Sequence, residues 1–318
     1  MSNELSVPQL QKQIETLMEW GKTYRDHNVV ALGDGEVFIK RTEDGQLRSV
    51  KGRVDFLENK GELAVVQNKA MITAKGYYKA NQIAGISIIT PEKLTLPDGN
   101  MVVNPYPIID PESSTISKVW VKKIAIGFSP TGNLVISSAT LLYDVTMYFI
   151  QDLVKRVKNN SGVGKICLEA NLTDEEKNRG GFYKIEGILG VWVDYSHKET
   201  FKAIENFIQK KLFAERNAQS ICERLVFSKH PALAFSFVEY EGQEYKRKAS
   251  LPVVGYINDF TRKELLEIAE KADRGEEINF NGKQVEVIEA SITASAEEIE
   301  AETDSDEFAN QADEGVVF

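Results

Sequence analysis

Apolar residues recur along this chain with two different periods. Leu10, Ile14, Leu17 and Trp20 fall at helical intervals, which predicts an amphipathic helix over residues 8–25. Short runs at 36–39, 52–56 and 63–67, separated by Gly, Asp and Asn, read as strands. Residues 71–90 read as a strand, a short helix around 77–83, and a second strand. The strongest pattern lies at 119–128 and 134–143, two runs of β-branched and aromatic residues joined by Ser129-Pro130-Thr131-Gly132-Asn133. Five turn formers between two such runs predict an antiparallel hairpin. Its first strand puts Trp120, Ile124, Ile126 and Phe128 on one face and Val119, Val121, Lys123 and Ala125 on the other. Lys122 and Lys123 therefore point to opposite sides. Asp144 then caps a helix in which Val145, Phe149, Leu153 and Val157 recur every fourth residue.

The second half is helical with interruptions. Residues 166–193 read as a polar excursion ending in a strand at 187–193. Residues 198–227 read as one long helix with room for a single break. Its stripe runs through Phe201, Ile204, Ile208 and Leu212 into Ala214, Ala218, Ile221 and Leu225, and His230-Pro231 ends it. Thr261-Arg262-Lys263-Glu264 is a capping box opening a helix to about residue 274, and Phe280-Asn281-Gly282-Lys283 is a tight hairpin turn. The expected fold class is α+β: an antiparallel β-sheet with a hairpin packed against helices, an N-terminal helix and a disordered acidic C-terminal tail. The expected divisions are an N-terminal helix at 1–28, a core domain at 29–235, a small C-terminal α/β module at 236–290 and the tail at 291–318.

Charge changes this picture at one end. Residues 284–318 carry eleven acidic side chains and no lysine or arginine, and run into Val316-Val317-Phe318. Removing those eleven acids from the 48 leaves 37 against 38 basic residues, a body near +1. An acidic tail beside a neutral to slightly basic body points to a nucleic-acid binder whose tail competes for its own basic groove or captures a partner. The tips of bacterial single-strand DNA-binding proteins are loosely similar, and Val316, Val317 and Phe318 are the candidate partner-binding residues. No run of about 18 apolar residues is present, which excludes a membrane-spanning helix. The opening residues lack the sections of a signal peptide, and two cysteines make no disulfide framework, so a reduced, cytoplasmic setting is expected.

Catalytic chemistry is not advertised. Residues 159–166, NNSGVGKI, lack the first glycine of a phosphate loop and end in Ile166 where a magnesium-binding hydroxyl belongs. His27, His197 and His230 stand apart, without metal-ligand spacing. Asp110, Glu112 and Lys122 are the nearest approach to a nuclease set, but Asp110-Pro111-Glu112-Ser113-Ser114 reads better as a surface turn. No enzyme, cofactor or metal is expected.

Thr73-Ala74-Lys75-Gly76-Tyr77-Tyr78-Lys79, followed by Gly85, resembles a stretch of the phage single-strand annealing proteins, the RecT, Red-beta and Erf recombinases and the Rad-type annealers. The order strand, turn, strand, helix over 118–158 and the basic helix from Lys210-Lys211 through Arg216 to Arg224 follow the same plan over about residues 30–235. Ser220 and Glu223 depart from it, standing where Thr, Lys or Arg is usual. The resemblance implies an annealer-like β-β-β-α core and ATP-independent annealing of complementary strands in recombination, encoded by a phage or prophage. The implied partners are single-stranded DNA, further copies of the chain in a ring or filament, and an exonuclease or single-strand DNA-binding protein. The alternative is a phage single-stranded DNA-binding protein with a partner-recruiting tail. Basic and aromatic residues interleave as such binders require, which makes Lys75, Tyr77, Lys79, Lys118, Trp120, Lys122, Lys123, Lys210, Lys211, Arg216 and Arg224 the DNA-binding candidates.

Overall fold

The computed structural model describes residues 37–42, 45–66, 68–235, 237–257, 260–280 and 282–291. The expected helix at 8–25, the acidic tail beyond residue 291 and the tip Val316-Val317-Phe318 lie outside the described residues. In chain order, β1 (Val37–Thr42), β2 (Gly45–Leu57), β3 (Leu63–Val66) and β4 (Lys69–Ile72) lead into α1 (Ala74–Ala84). Four short strands follow: β5 (Ser87–Ile89), β6 (Lys93–Thr95), β7 (Met101–Val103) and β8 (Tyr106–Ile109). The long hairpin of β9 (Ile116–Phe128) and β10 (Leu134–Asp144) delivers the chain into α2 (Val145–Asn159). Next come β11 (Gly164–Leu168), α3 (Asp174–Arg179), β12 (Gly180–Glu186) and β13 (Leu189–Asp194), then α4 (Lys198–Leu212) and α5 (Ala214–Lys229). Last are β14 (Lys248–Ile257), α6 (Arg262–Asp273), β15 (Asn279–Phe280), β16 (Lys283–Gln284) and β17 (Glu286–Ser291). The fold is mixed α+β, its described strand pairings antiparallel and its described helices six.

The described chain divides into two compact units. The first takes residues 37–89, 124–137 and 227–288; the second takes 90–123, 138–226 and 289–291. In the first, β2 is the middle strand between β1 and β14, pairing Leu57 with Lys248 and Arg48 with Ile257. Its core gathers Ile124, Ile126, Phe128, Leu134 and Ile136 from the hairpin with Tyr256, Ala269, Ala272, Ile278 and Val285. Residues 236–290, read from sequence as a small module of their own, thus supply a full strand partner to β2 and a wall of this core. The capping box is present: the Thr261 side chain accepts from the Glu264 backbone, and the Glu264 carboxylate answers to the Thr261 N–H.

The second unit packs α2 and α4 on the sheet β11-β13-β12. Asp144 caps α2, its carboxylate accepting from Met147 N–H at 3.0 Å, and Val145, Phe149, Leu153 and Val157 are buried as their spacing requires. The stretch expected to be a polar excursion is instead this three-stranded sheet. Its strands are hard to read because glycine occupies sites where strands touch. A Cβ at Gly190 would lie 2.4 Å from the Phe182 ring.

The stripe expected along α4 is also displaced. Thr200 and Ala203 are its buried residues, with Ile204 and Phe207 packed partly beneath, while Phe201, Ile208 and Leu212 face out. The helix breaks at Phe213. The predicted stripe resumes on α5, where Ala214, Ala218, Ile221 and Leu225 are buried. No helix among the described residues is long and apolar enough to cross a membrane.

Candidate nucleic-acid interface

The residues that carry the annealer resemblance meet on one turn. Thr73 is the N-cap of α1: its hydroxyl accepts from Gly76 N–H at 3.2 Å and donates to the Gly61 carbonyl at 2.6 Å. Gly76 lies against the same turn so closely that a Cβ there would sit 2.2 Å from the Glu62 carbonyl oxygen. Lys79 donates to both oxygens of the Glu62 carboxylate, at 2.8 and 3.0 Å, and to the Asp55 carbonyl at 2.6 Å. Gly85 ends the helix with φ +68°, its N–H reaching the Asn81 carbonyl. Thr, Gly and Lys at this spacing are therefore explained by docking α1 onto residues 61–62, and the last Gly by the left-handed turn that ends the helix. Tyr77 is a core residue, 1% exposed, stacked on Phe227 with its hydroxyl bonded to the Phe235 carbonyl. That corrects its assignment to DNA. Lys75 is exposed, and so is its neighbour Tyr78.

In the second unit, β9 presents the predicted alternation over residues 118–123. Val119, Val121 and Lys123 are buried, while Lys118, Trp120 and Lys122 are half-buried on the opposite face. β8 pairs alongside, placing Tyr106 opposite Trp120 and Ile108 opposite Lys118. Asn104 continues the edge with its side chain, accepting from Lys122 N–H at 2.9 Å and donating to the Lys122 carbonyl at 2.8 Å. The outcome is one strand face with a cation, an indole and a cation at alternate positions, and a phenol beside the indole. Lys118 also bridges to Asp144 at 2.9 Å, so a phosphate reaching it competes with a carboxylate.

Lys123 cannot belong to that face. It is 4% exposed, its ammonium bonded to Glu223 at 2.8 Å and Gln219 at 3.2 Å. Burial pushes the Glu223 carboxyl up to about 7 and the Lys123 ammonium down. Their 2.8 Å contact works against both shifts, so each charge stands with its counterion. Glu223, a departure from the annealer pattern, is thereby accounted for. Beside it, the Cys222 thiol donates to the Ala139 carbonyl at 3.3 Å, and burial raises its pKa to about 12.

The turn from α4 to α5 holds the remaining candidates. Lys211 donates to the Thr115 hydroxyl at 2.8 Å and lies 4.9 Å from the Phe207 ring centre, and Lys210 is half-buried. Arg216 is exposed and lies 4.4 Å over the Phe213 ring, itself 41% exposed. Arg224, eight residues on, is 4% exposed and so is an interior residue, unlike the DNA-facing position expected of it. The first unit has a collection that the sequence reading missed. A shallow recess of about 510 Å³ is lined by Asn68, Lys69, Phe237, Val238, Glu239 and Tyr240, with Lys69 5.3 Å from the Phe237 ring centre. Two aromatics three residues apart, at 237 and 240, were the available signal.

The other motifs noted in the sequence have local structural roles among the described residues. Asp110 accepts from the backbone of Ser113 and Glu112, which holds its carboxyl below the usual range and makes the segment the surface turn expected of it. The loop at 159–166 follows a helix and enters a strand, the reverse of the order that aims amides at a phosphate, and Lys165 is bonded to Glu176. His197 caps α4 through Nδ1, and buried His230 accepts from Ala232 N–H at Nδ1. Among the described residues, no group of three His, Cys, Asp or Glu could hold a metal ion. Of the eleven DNA-binding candidates, then, Lys118, Trp120 and Lys122 share one face and Lys210, Lys211 and Arg216 one helix junction. Tyr77, Lys123 and Arg224 are interior, Lys79 is engaged by Glu62, and Lys75 stands on α1 in the first unit. Compared with protein-family models, curated proteins and solved structures, the chain matches none of them.

Proposed function

We propose that this chain binds single-stranded DNA and anneals complementary strands without a nucleotide, in the manner of the RecT, Red-beta and Erf proteins. One observation carries the reading: the Lys118–Trp120–Lys122 face of β9 with Tyr106 opposite the indole. Bases stack on such rings regardless of sequence, while lysines on either side follow the phosphates. A strand held by its backbone and by stacking keeps its base edges available for a second strand, which is what annealing requires. Burial of Val119, Val121 and Lys123 beneath anchors the platform. Lys210, Lys211 and Arg216 supply further positive charge in the same unit.

The test is annealing of complementary labelled oligonucleotides in EDTA without ATP, with electron microscopy of the same sample for rings or filaments. The full chain should accelerate duplex formation. Trp120→Ala should weaken single-strand affinity by about tenfold, within the 1–3 kcal/mol of one stacked base. Lys122→Ala should reduce the slope of log affinity against log salt by about 0.7. Protection of single strands with slowed pairing would instead mark a single-stranded DNA-binding protein. A requirement for ATP hydrolysis, or an unchanged affinity in both variants, would refute the proposal.

A further inference from the structure

One face of α4 is apolar and uncovered among the described residues. Phe201, Ile208 and Leu212 are 60%, 51% and 69% exposed. At 100° per residue these three lie within about 40° of one another on the helix, well around from the buried Thr200 and Ala203. Phe213, at the junction with α5, is 41% exposed. Solvated helix faces do not ordinarily gather three large apolar side chains in line, and patches of this kind mark contact sites. Charge frames this one. Lys198 and Lys202 are exposed on one flank, and Lys211 and Arg216 lie at the other end, against exposed Glu205 and Glu215.

The same chain contains a segment of complementary composition. Residues 292–318 carry nine acidic side chains and no lysine or arginine, with Ile299, Phe308, Val316, Val317 and Phe318 distributed among them. A solvating stretch needs no aromatic residues, whereas a segment that binds a basic, apolar helix face needs both its acids and its rings. Twenty-seven residues follow Ser291, which belongs to the same unit as α4, and in extended form they span up to about 90 Å.

We infer that the Phe201–Ile208–Leu212 face of α4 is the docking site of the chain's own acidic segment, residues 292–318. Its apolar side chains cover the stripe, and its carboxylates stand over Lys198, Lys202, Lys211 and Arg216. Docking itself does not depend on DNA. Its regulatory meaning rests on the function proposed above, since Lys211 and Arg216 are then shared between the segment and phosphate. The occupied state is a DNA-free state, and a single strand must displace the segment to use the α4–α5 junction.

The test uses the full chain with p-benzoylphenylalanine at position 318, irradiated without DNA and mapped by peptide mass spectrometry. Crosslinks should fall on residues 198–216, within one chain or between copies. They should drop at least fivefold in 1 M salt, where the screening length shortens from about 10 Å at 0.1 M to about 3 Å. Combining Phe201→Ser, Ile208→Ser and Leu212→Ser should cut the yield at least tenfold with an unchanged melting temperature, because all three side chains are already solvent-facing. Crosslinks scattered over the surface, or an unchanged yield in the triple variant, would overturn the inference. So would capture of 198–216 by a probe at position 20 and not at 318, which would assign the stripe to the N-terminal segment. Crosslinking on α4 in a protein that binds no single strands would leave docking intact and remove only the DNA reading.

Discussion

Lys123→Met tests whether the buried pair beneath β9 is understood. Methionine keeps most of the aliphatic stem and removes the charge, leaving Glu223, its side chain 17% exposed, without the ammonium that stood 2.8 Å from it. Burial already raises that carboxyl with Lys123 beside it, and taking away the ammonium 2.8 Å off raises it further. Stripping one partner from a buried pair costs 3–5 kcal/mol in general, and the partial exposure of Glu223 favours the lower end. The folded pKa is raised above the unfolded one, so the folded variant keeps its proton longer. The part of its deficit that comes from ionisation is absent below about pH 4.5 and grows as pH rises towards the folded pKa. Urea unfolding at pH 5 should show a deficit of about 1–2 kcal/mol, from the lost hydrogen bonds to Glu223 and Gln219. At pH 8 the deficit should be about 2–3 kcal/mol larger, with the denaturant slope unchanged. Adding Glu223→Leu should recover most of the loss, because an apolar pair of similar volume leaves no charge to desolvate. Equal deficits at pH 5 and pH 8, or a loss at pH 8 below about 1 kcal/mol, would refute the argument.

Three further outcomes follow from particular contacts. Gly76→Ala should cost at least about 2 kcal/mol in thermal unfolding, since the new methyl meets the Glu62 carbonyl rather than a yielding side chain. Arg216→Ala should lower single-strand affinity and flatten its salt dependence at constant melting temperature, while Arg224→Ala should lower the melting temperature; the reverse assignment would mean the arginines are misplaced. Deleting residues 292–318 should leave the melting temperature almost unchanged and tighten single-strand binding most at low salt, where nine carboxylates compete with phosphate over the longest distance. An unfolded truncation would refute that expectation.

Much of the local architecture was legible because one residue type at one spacing has one cheap solution. The five-residue turn between two β-branched runs became the β9–β10 hairpin, Asp144 capped α2, and Thr261 with Glu264 formed the box that opens α6. The α1 motif was legible as a pattern but not as a cause. Only the approach of Gly76 to Glu62, 14 residues away, explains why that position is glycine. The candidate site divided similarly. Alternation along β9 separated Lys122 from Lys123 in advance, yet Tyr77 and Lys79 stand two residues apart, one in the core and the other tied to a carboxylate.

What the sequence determined by itself was set by contacts a few residues long: strand parity, helix caps, turn chemistry and the sign of charge in each segment. What tertiary structure decided was everything that depends on a distant partner. β14 finds β2 some 200 residues earlier, which no periodicity encodes. α4 buries Thr200 and Ala203 and leaves Phe201, Ile208 and Leu212 outside, because the sheet β11-β13-β12 and α2 select which side of an ambiguous helix is covered. Lys123 lies inside because Glu223, 100 residues later, arrives beside it with an opposite charge, and burial of either alone would cost several kcal/mol.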